Sequence, residues 1–267
     1  MKKKILPYIA TLGIAISLPQ VTLAEDKNLA KELANPIADL ISVEIEANYD
    51  DDIGDDNGSQ WLTNIEPIIP FSISENWNIV SRSTVPVITQ DDISSNGAKD
   101  SGIGDIMQHF YFSPKKPITS HGLIWGVGPA LLLNTASNDA LGSNKWGAGP
   151  SVAALIQEGP WTIGTIAEHI WSFAGNNSST GVSMTSMEPF IAYVTKSDTT
   201  FTIDTESTYD WKAESWSVPI HFKVEQLLKI GGQMIQVGGG LRYWAASPDS
   251  GPEGLGARLN LIFLFPK

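Results

Sequence analysis

The feature that most constrains the fold is an alternation of apolar and polar residues that recurs along the chain. In DTTFTIDTESTYDW (198–211), for example, Phe201, Ile203 and Trp211 fall on one parity, whereas Asp204 and Glu206 fall on the other. Successive side chains of a β-strand point to opposite faces. Each such segment therefore predicts a strand with one apolar face and one polar face.

Twelve segments have this character, and turns separate them. We predict strands at 41–50, 61–70, 77–88, 103–113, 121–133, 146–157, 160–173, 183–195, 199–211, 215–226, 233–245 and 254–265. Many short strands at regular spacing are typical of a β-sandwich or an up-and-down barrel.

The connections between these strands alternate in character, which favours the barrel. Connections such as DDDIGDDNGS and NTASNDALGSNK are long and polar, whereas the intervening FSISEN, QEG and KSDT are short. Outer-membrane barrels carry long loops on one rim and short turns on the other, and a sandwich has no reason to sort loops in this way. Most of the nine Trp residues also lie near strand ends, as in interfacial girdles, although core Trp in a sandwich is an alternative reading of that feature.

The N-terminal residues predict export. Lys2 to Lys4 precede an apolar run that ends before Thr22-Leu23-Ala24, the pattern of a secretory signal peptide. We therefore divide the chain into a signal peptide at 1–24, a periplasmic N-terminal segment with a short helix at 25–40, and a barrel at 41–267. The chain has no Cys and a formal net charge of −12, so we expect no disulfides and no nucleic-acid partner. It also lacks an apolar run after the signal that is long enough for a helical span.

The polar parity carries charges that a closed barrel would direct into its lumen. Hairpin pairing brings Glu66 near Arg82 and Asp204 near His221, and closure of the last strand on the first brings Arg258 near Glu44 or Glu46. The predicted charged residues of the lumen are Glu44, Glu46, Glu66, Arg82, Asp105, His109, Asp204, Glu206, His221, Lys223, Arg242 and Arg258.

Catalytic and metal-binding motifs were also considered. The sequence contains no G-x-S-x-G, H-E-x-x-H or P-loop. His109 near Asp105, or His221 opposite Asp204, could serve acyl transfer, but a hydrogen-bonded lumen histidine is the simpler interpretation. The acidic stretch DDDIGDDNG could bind divalent cations or could be a solvated loop. We predict no enzyme activity, no catalytic residues, no metal and no cofactor.

Segments across the chain match one bacterial family. WLTNIEPIIPFSISENWNIVSRSTVPVI, GLIWGVGPALLLNTA and GPEGLGARLNLIFLFPK resemble outer-membrane proteins of the phenol-degradation meta-pathway (MetA-pathway) type, which are labelled transporters and sometimes mislabelled neuromedin U. The resemblance implies an outer-membrane β-barrel with a transport role and offers no catalytic or ligand motif to carry over.

Pattern and resemblance lead to one interpretation. We predict an all-β protein, an antiparallel up-and-down transmembrane β-barrel of about twelve strands in the bacterial outer membrane, in contact with lipid and lipopolysaccharide. Its predicted function is a channel or transporter for small solutes, with small aromatic or hydrophobic compounds as the class that the family label suggests. The alternative is a structural or adhesive barrel that acts through its acidic extracellular loops.

Overall fold

A computed structural model describes residues 29–93, 99–117 and 122–265. The predicted signal peptide at 1–24 lies outside these ranges. The elements are one short α-helix, one 3-10 turn at Asp139–Leu141 and fourteen β-strands. Their bounds are α1 Leu29–Leu33, β1 Ile41–Ile53, β2 Gly58–Ser72, β3 Trp77–Asp91, β4 Asp100–Ile103, β5 Ile106–Pro114, β6 Leu123–Leu133, β7 Lys145–Glu158, β8 Trp161–Gly175, β9 Ser183–Val194, β10 Thr199–Thr205, β11 Ser207–Asp210, β12 Ser215–Ile230, β13 Gln233–Ala246 and β14 Leu255–Phe265.

The strands form one closed antiparallel barrel. Neighbours in the chain pair with each other, and β14 pairs with both β13 and β1, which joins the two ends of the sheet. β4 and β5 together make one interrupted strand, as do β10 and β11, so the wall has twelve strands. The predicted all-β up-and-down barrel is thus confirmed. Within the described residues, no helix is long and apolar enough to cross a membrane.

The two interruptions have local causes. β10 and β11 keep the same register against β12, with Asp204 opposite His221 and Thr208 opposite Ser217. That register sets Glu206 against Pro219, which has no backbone N–H to donate. Between β4 and β5 the register against β3 shifts by one residue, from Val87 opposite Ile103 to Thr84 opposite Met107, as in a β-bulge.

The outer face is apolar and ends in two aromatic girdles. Ile203, Leu241 and Leu259 are more than half exposed on it. Aromatic pairs lie at both ends of the barrel: Tyr49 with Trp61 and Tyr209 with Trp216 at one, and Trp77 with Trp125 and Trp161 with Tyr193 at the other. This surface fits a bilayer with an aromatic belt at each interface. The barrel is an outer-membrane protein in contact with membrane lipid.

Loop length differs between the two ends. The connections at 92–99, 134–144, 176–182 and 247–254 lie at one end, which we call the long-loop end. The opposite, short-turn end carries the turns at 73–76, 159–160, 195–198 and 231–232. The rule has exceptions, because the turns at 54–57 and 211–214 are short although they lie at the long-loop end, and eight residues separate β5 from β6 at the short-turn end. The acidic stretch DDDIGDDNGS, predicted as a long loop, is mostly strand, with a four-residue turn at 54–57.

The N-terminal segment, residues 29–40, lies inside the barrel at the short-turn end. Ala30 is fully buried and packs with Val194, Leu227 and Leu264 of the inner wall. Farther along, Ile37 belongs to a second buried cluster with Val80, Tyr111, Ala153, Leu155 and Ile166. The apolar side chains of residues 29–40 pack against the inner wall, which removes apolar surface from water. The division of the chain into a signal peptide, a periplasmic N-terminal segment and a barrel stays a prediction.

Small residues on the inner wall make room for this segment. Gly126 lies in β6, and a Cβ atom there would stand 3.2 Å from Ile37 Cδ1 and 3.1 Å from Tyr111 Cβ. Two hydrogen bonds also fix the segment: Gln157 Nε2 donates to the carbonyl of Lys31 at 2.7 Å, and Asn78 Nδ2 donates to Asp39 Oδ1 at 2.8 Å. The segment therefore occupies part of the short-turn half of the lumen and gives it apolar surface.

Candidate functional site

The centre of the polar inner face is Arg258 on β14. Its side chain is fully buried, and Nη1 lies 2.8 Å from Glu206 Oε1 and 2.9 Å from Glu46 Oε2. Its Nε donates to Asn48 Oδ1 at 2.7 Å. We call these four residues the Arg258 cluster. It links β1, β14 and the β10–β11 junction across the lumen.

Asp204 on β10 extends this network. Its Oδ2 accepts a hydrogen bond from His221 Nδ1 at 2.8 Å, and Lys223 Nζ lies 3.1 Å from its Oδ1. Because His221 and Lys223 are both on β12, the hairpin of β10 and β12 provides the carboxylate and both of its partners. Gly240 of β13 stands directly beside Lys223 and Arg258 in register and leaves space for these two long side chains.

Arg82 on β3 forms a second ion pair with β2. Its Nη2 lies 2.8 Å from Glu66 Oε2, and Nε donates to the same oxygen at 2.9 Å. Thr84 Oγ1 completes the site by donating to Glu66 Oε1 at 3.1 Å. Glu188 on β9 is a more distant partner, because its Oε2 is 3.8 Å from Arg82 Nη1.

A third pair joins two strands of the wall that are not neighbours. His109 Nε2 on β5 contacts Glu168 Oε2 on β8. The His109 ring also stacks on Tyr111, with ring centroids 5.8 Å apart, and the Tyr111 hydroxyl lies 2.8 Å from Ser151 Oγ. Both side chains of this ion pair are about nine-tenths buried, so the pair belongs to the interior and not to the rim.

Arg242 on β13 lies nearer the long-loop end. Its Nη1 is 3.2 Å from Asp50 Oδ2, and its guanidinium stands over the ring of Trp244 at 4.5 Å from the centroid. Trp244 Nε1 in turn donates to Asp50 Oδ1 at 2.8 Å. This group ties the last hairpin to β1 at the long-loop end.

A cavity of ≈ 320 Å³ lies between the charged inner face and the N-terminal segment. Glu44, Arg82 and Lys223 line its polar side, whereas Leu40 and Phe190 line its apolar side. The polar wall comes from strands on all sides of the barrel, so the cavity occupies the lumen itself.

Most of the residues predicted for the lumen lie on the inner face. The structure places there Glu44, Glu46, Glu66, Arg82, His109, Asp204, Glu206, His221, Lys223, Arg242 and Arg258, and all of them except Arg242, Arg258 and His221 line the cavity.

Asp105 does not line the cavity, and its carboxylate is engaged by the loop at 134–144 instead. It follows the break between β4 and β5, and its carboxylate accepts hydrogen bonds from the backbone N–H groups of Thr135 and Ala136 at 3.1 Å and of Ser143 at 2.6 Å. Asp105 thus organises the loop at 134–144.

Four inward acids of the strand wall were missed by the sequence-based assignment: Glu168, Glu188 and Glu225, which line the cavity, and Asp50, which pairs with Arg242. Glu168 precedes His169 on a strand whose two faces both carry a titratable group, which left its orientation ambiguous. Glu188 lies in SMTSMEPFIAYV, where the inner parity mixes Met, Ser, Glu and Phe. Strand parity could have predicted that Glu225 faces the lumen, because Glu225 has the same parity as His221 and Lys223 on β12.

One triad has the composition of a metal site. Ligand atoms of Asp204, Glu206 and His221 lie within 4.8 Å of one another. However, Lys223 and Arg258 already bind the two carboxylates, and a divalent cation would compete with both. The two carboxylates of the triad are therefore already engaged in the ion-pair network, and the absence of a metal or cofactor stays a prediction.

Comparison with known proteins identifies the fold. No protein-family model matches the sequence, and no curated protein matches it. An outer membrane channel from Pseudomonas putida F1 matches in structure with a TM-score of 0.67, over 92% of this chain and 100% of that chain, at 12% identity. This chain has the fold of an outer-membrane β-barrel. At this identity the likeness shows the fold alone.

Two further solved structures resemble the chain more weakly. Outer membrane phospholipase A from Escherichia coli matches over 84% of this chain and 96% of that chain, with 7% identity and a TM-score of 0.48. The outer membrane phospholipase from Salmonella typhi matches over 88% of this chain and 98% of that chain, with 8% identity and a TM-score of 0.48. The prediction that the chain is not an enzyme is corrected accordingly. The solved barrels that match it include enzymes, so the lack of a familiar motif does not support that exclusion.

Proposed function

We propose that the mature chain, from residue 25, is an outer-membrane channel or transporter for small solutes, of the meta-pathway type that its sequence resembles. The observation that carries this proposal is the cavity of ≈ 320 Å³ inside a closed barrel, bordered by charged side chains. A barrel filled by side chains alone would leave no such space. Twelve strands lie between the filled eight-stranded barrels and the open sixteen-stranded porins.

The lining of the cavity suggests which solutes pass. Phe190, Ile166 and Tyr111 present apolar surface, whereas Glu44 and Lys223 present charge. Small aromatic or hydrophobic compounds that carry a polar group would match both sides of the cavity. Lipopolysaccharide is the proposed neighbour of the acidic loops at the long-loop end.

Swelling of proteoliposomes tests the proposal. Residues 25–267, refolded into liposomes, should admit small solutes such as glycine and glycerol faster than protein-free liposomes do, and should exclude a trisaccharide, because the cavity is narrow. Liposomes with heat-denatured protein are the control. Swelling at the protein-free rate for every solute would argue for the structural or adhesive alternative.

A further inference from the structure

The lumen cavity contains more acidic than basic side chains. Among the described residues that line it, nine are Asp or Glu, whereas Arg82 and Lys223 are the only Arg or Lys. Arg258 lies behind the lining and adds one more positive charge. The cavity is thus acidic even after its neighbouring cations are counted.

The Arg and Lys side chains of the lumen all form ion pairs, but the acidic side chains outnumber them. Lys223 binds Asp204 at 3.1 Å, and Arg82 binds Glu66 at 2.8 Å. Arg258 binds both carboxylates of its cluster. Glu168 contacts His109. Within the described part of the chain, the wall acids that remain are Glu44, Glu188 and Glu225, and they have few polar contacts. Glu44 accepts one hydrogen bond from Asn260 Nδ2 at 2.8 Å, and Glu188 has only the 3.8 Å contact to Arg82.

Glu225 is the lining acid of the strand wall with the fewest polar contacts among the described residues. It is 7% exposed and lines the cavity, and within the described residues it has no hydrogen bond and no ion pair within 4.0 Å. Lys223, two positions away on β12, is directed to Asp204 instead. An unpaired buried carboxylate costs free energy that a bound cation would recover. Glu225 is therefore an unsatisfied acceptor that faces the cavity.

The same cavity offers an apolar surface for the rest of a ligand. Ile166 and Tyr111 are buried in the cluster that contains Ile37, and Phe190 packs against that cluster. All three line the cavity, together with Leu40. A ligand with a positive head and an apolar body would contact both kinds of surface.

We propose that the lumen cavity binds small organic cations, with an ammonium head at Glu225 and Glu44 and an aromatic or aliphatic body on Phe190, Ile166 and Tyr111. The inference rests on the proposed channel function and names the solute class for it. At ≈ 320 Å³ the cavity accommodates a single small ligand of this kind. Charge-assisted hydrogen bonds to the two carboxylates would provide the selectivity.

Three probes with the same ring distinguish charge from apolar contact: 2-phenylethylammonium, 2-phenylethanol and phenylacetate. We expect calorimetric titration of the refolded mature chain, with empty micelles as reference, to show binding of the ammonium compound about tenfold tighter than of the neutral alcohol. Phenylacetate should show no binding. The E44Q/E225Q double variant should lose about tenfold for the ammonium compound and nothing for the alcohol.

Glu253→Gln is the matched control, because Glu253 is exposed in the loop at 247–254, and it should bind all probes as the unchanged chain does. Equal affinity for the three probes, or full affinity in E44Q/E225Q, would overturn the inference. Calorimetry does not require conduction, so its outcome is separate from that of liposome swelling. Swelling without ammonium preference would leave a channel but no cation site, whereas binding without swelling would leave a site but no channel.

Discussion

Replacing Arg258 with alanine is expected to lower the free energy of unfolding of the barrel by about 3–5 kcal/mol. Arg258 is fully buried, and its removal leaves Glu46 and Glu206 without their ion-pair partner. The cost comes mainly from the two carboxylates left unpaired. Urea unfolding of the refolded barrel, followed by Trp fluorescence, measures it.

A triple variant separates this explanation from simple loss of volume. In Arg258→Met combined with Glu46→Gln and Glu206→Gln, all three charges disappear, and we expect most of the lost stability to return. Lys212→Ala, in the exposed turn after β11, is the control and should change stability by less than about 0.5 kcal/mol. A triple variant as unstable as Arg258→Ala would contradict the account.

Deleting residues 25–38 is expected to raise single-channel conductance several-fold. Within that stretch, Ala30 and Ile37 occupy the short-turn half of the lumen and pack against its wall. Their removal leaves the cavity open toward that end, while the barrel strands, which start at Ile41, keep their pairing. Currents in planar lipid bilayers, at one salt concentration, measure the change.

The control for the deletion keeps the segment but reduces one side chain. Ile37→Ala leaves the hydrogen bonds of Lys31 and Asp39 in place, so its conductance should rise much less than that of the deletion. Both variants should migrate in gels as folded barrels before heating. A folded deletion variant with unchanged conductance would show that another part of the lumen limits the flow of ions.

The wall of the barrel could be predicted from sequence because it is a local property. Alternation decides which face each side chain takes, and adjacent strands bring their polar positions together. This is why Glu66 with Arg82, and Asp204 with His221, follow from simple hairpin registers. Loop length gave only a partial signal, because the connections at 54–57 and 211–214 are as short as those at the opposite end.

The remaining features depend on contacts between distant parts of the chain. The sequence of the N-terminal segment predicts a short helix with a few Leu residues. It does not predict that this helix packs against Leu227 and Leu264, which are about 200 positions away in the chain. The contact of His109 with Glu168 crosses the lumen between β5 and β8, which are not neighbours in the sheet. The hydrogen bonds between Asp105 and the loop at 134–144 join residues about 30 positions apart, and strand alternation does not predict them.

The most direct test of a lipid-facing wall around a wet, polar lumen is the thiol reactivity of two adjacent residues on β2. Asn64 lines the cavity, whereas Ile65 is exposed on the outer face. The chain has no native Cys, so Asn64→Cys and Ile65→Cys each provide one thiol, and Asp56→Cys in the exposed β1–β2 turn is the positive control. In liposomes, a charged, membrane-impermeant thiol reagent should label Asn64→Cys and Asp56→Cys and leave Ile65→Cys unlabelled. Labelling of Ile65→Cys with protection of Asn64→Cys would contradict the account.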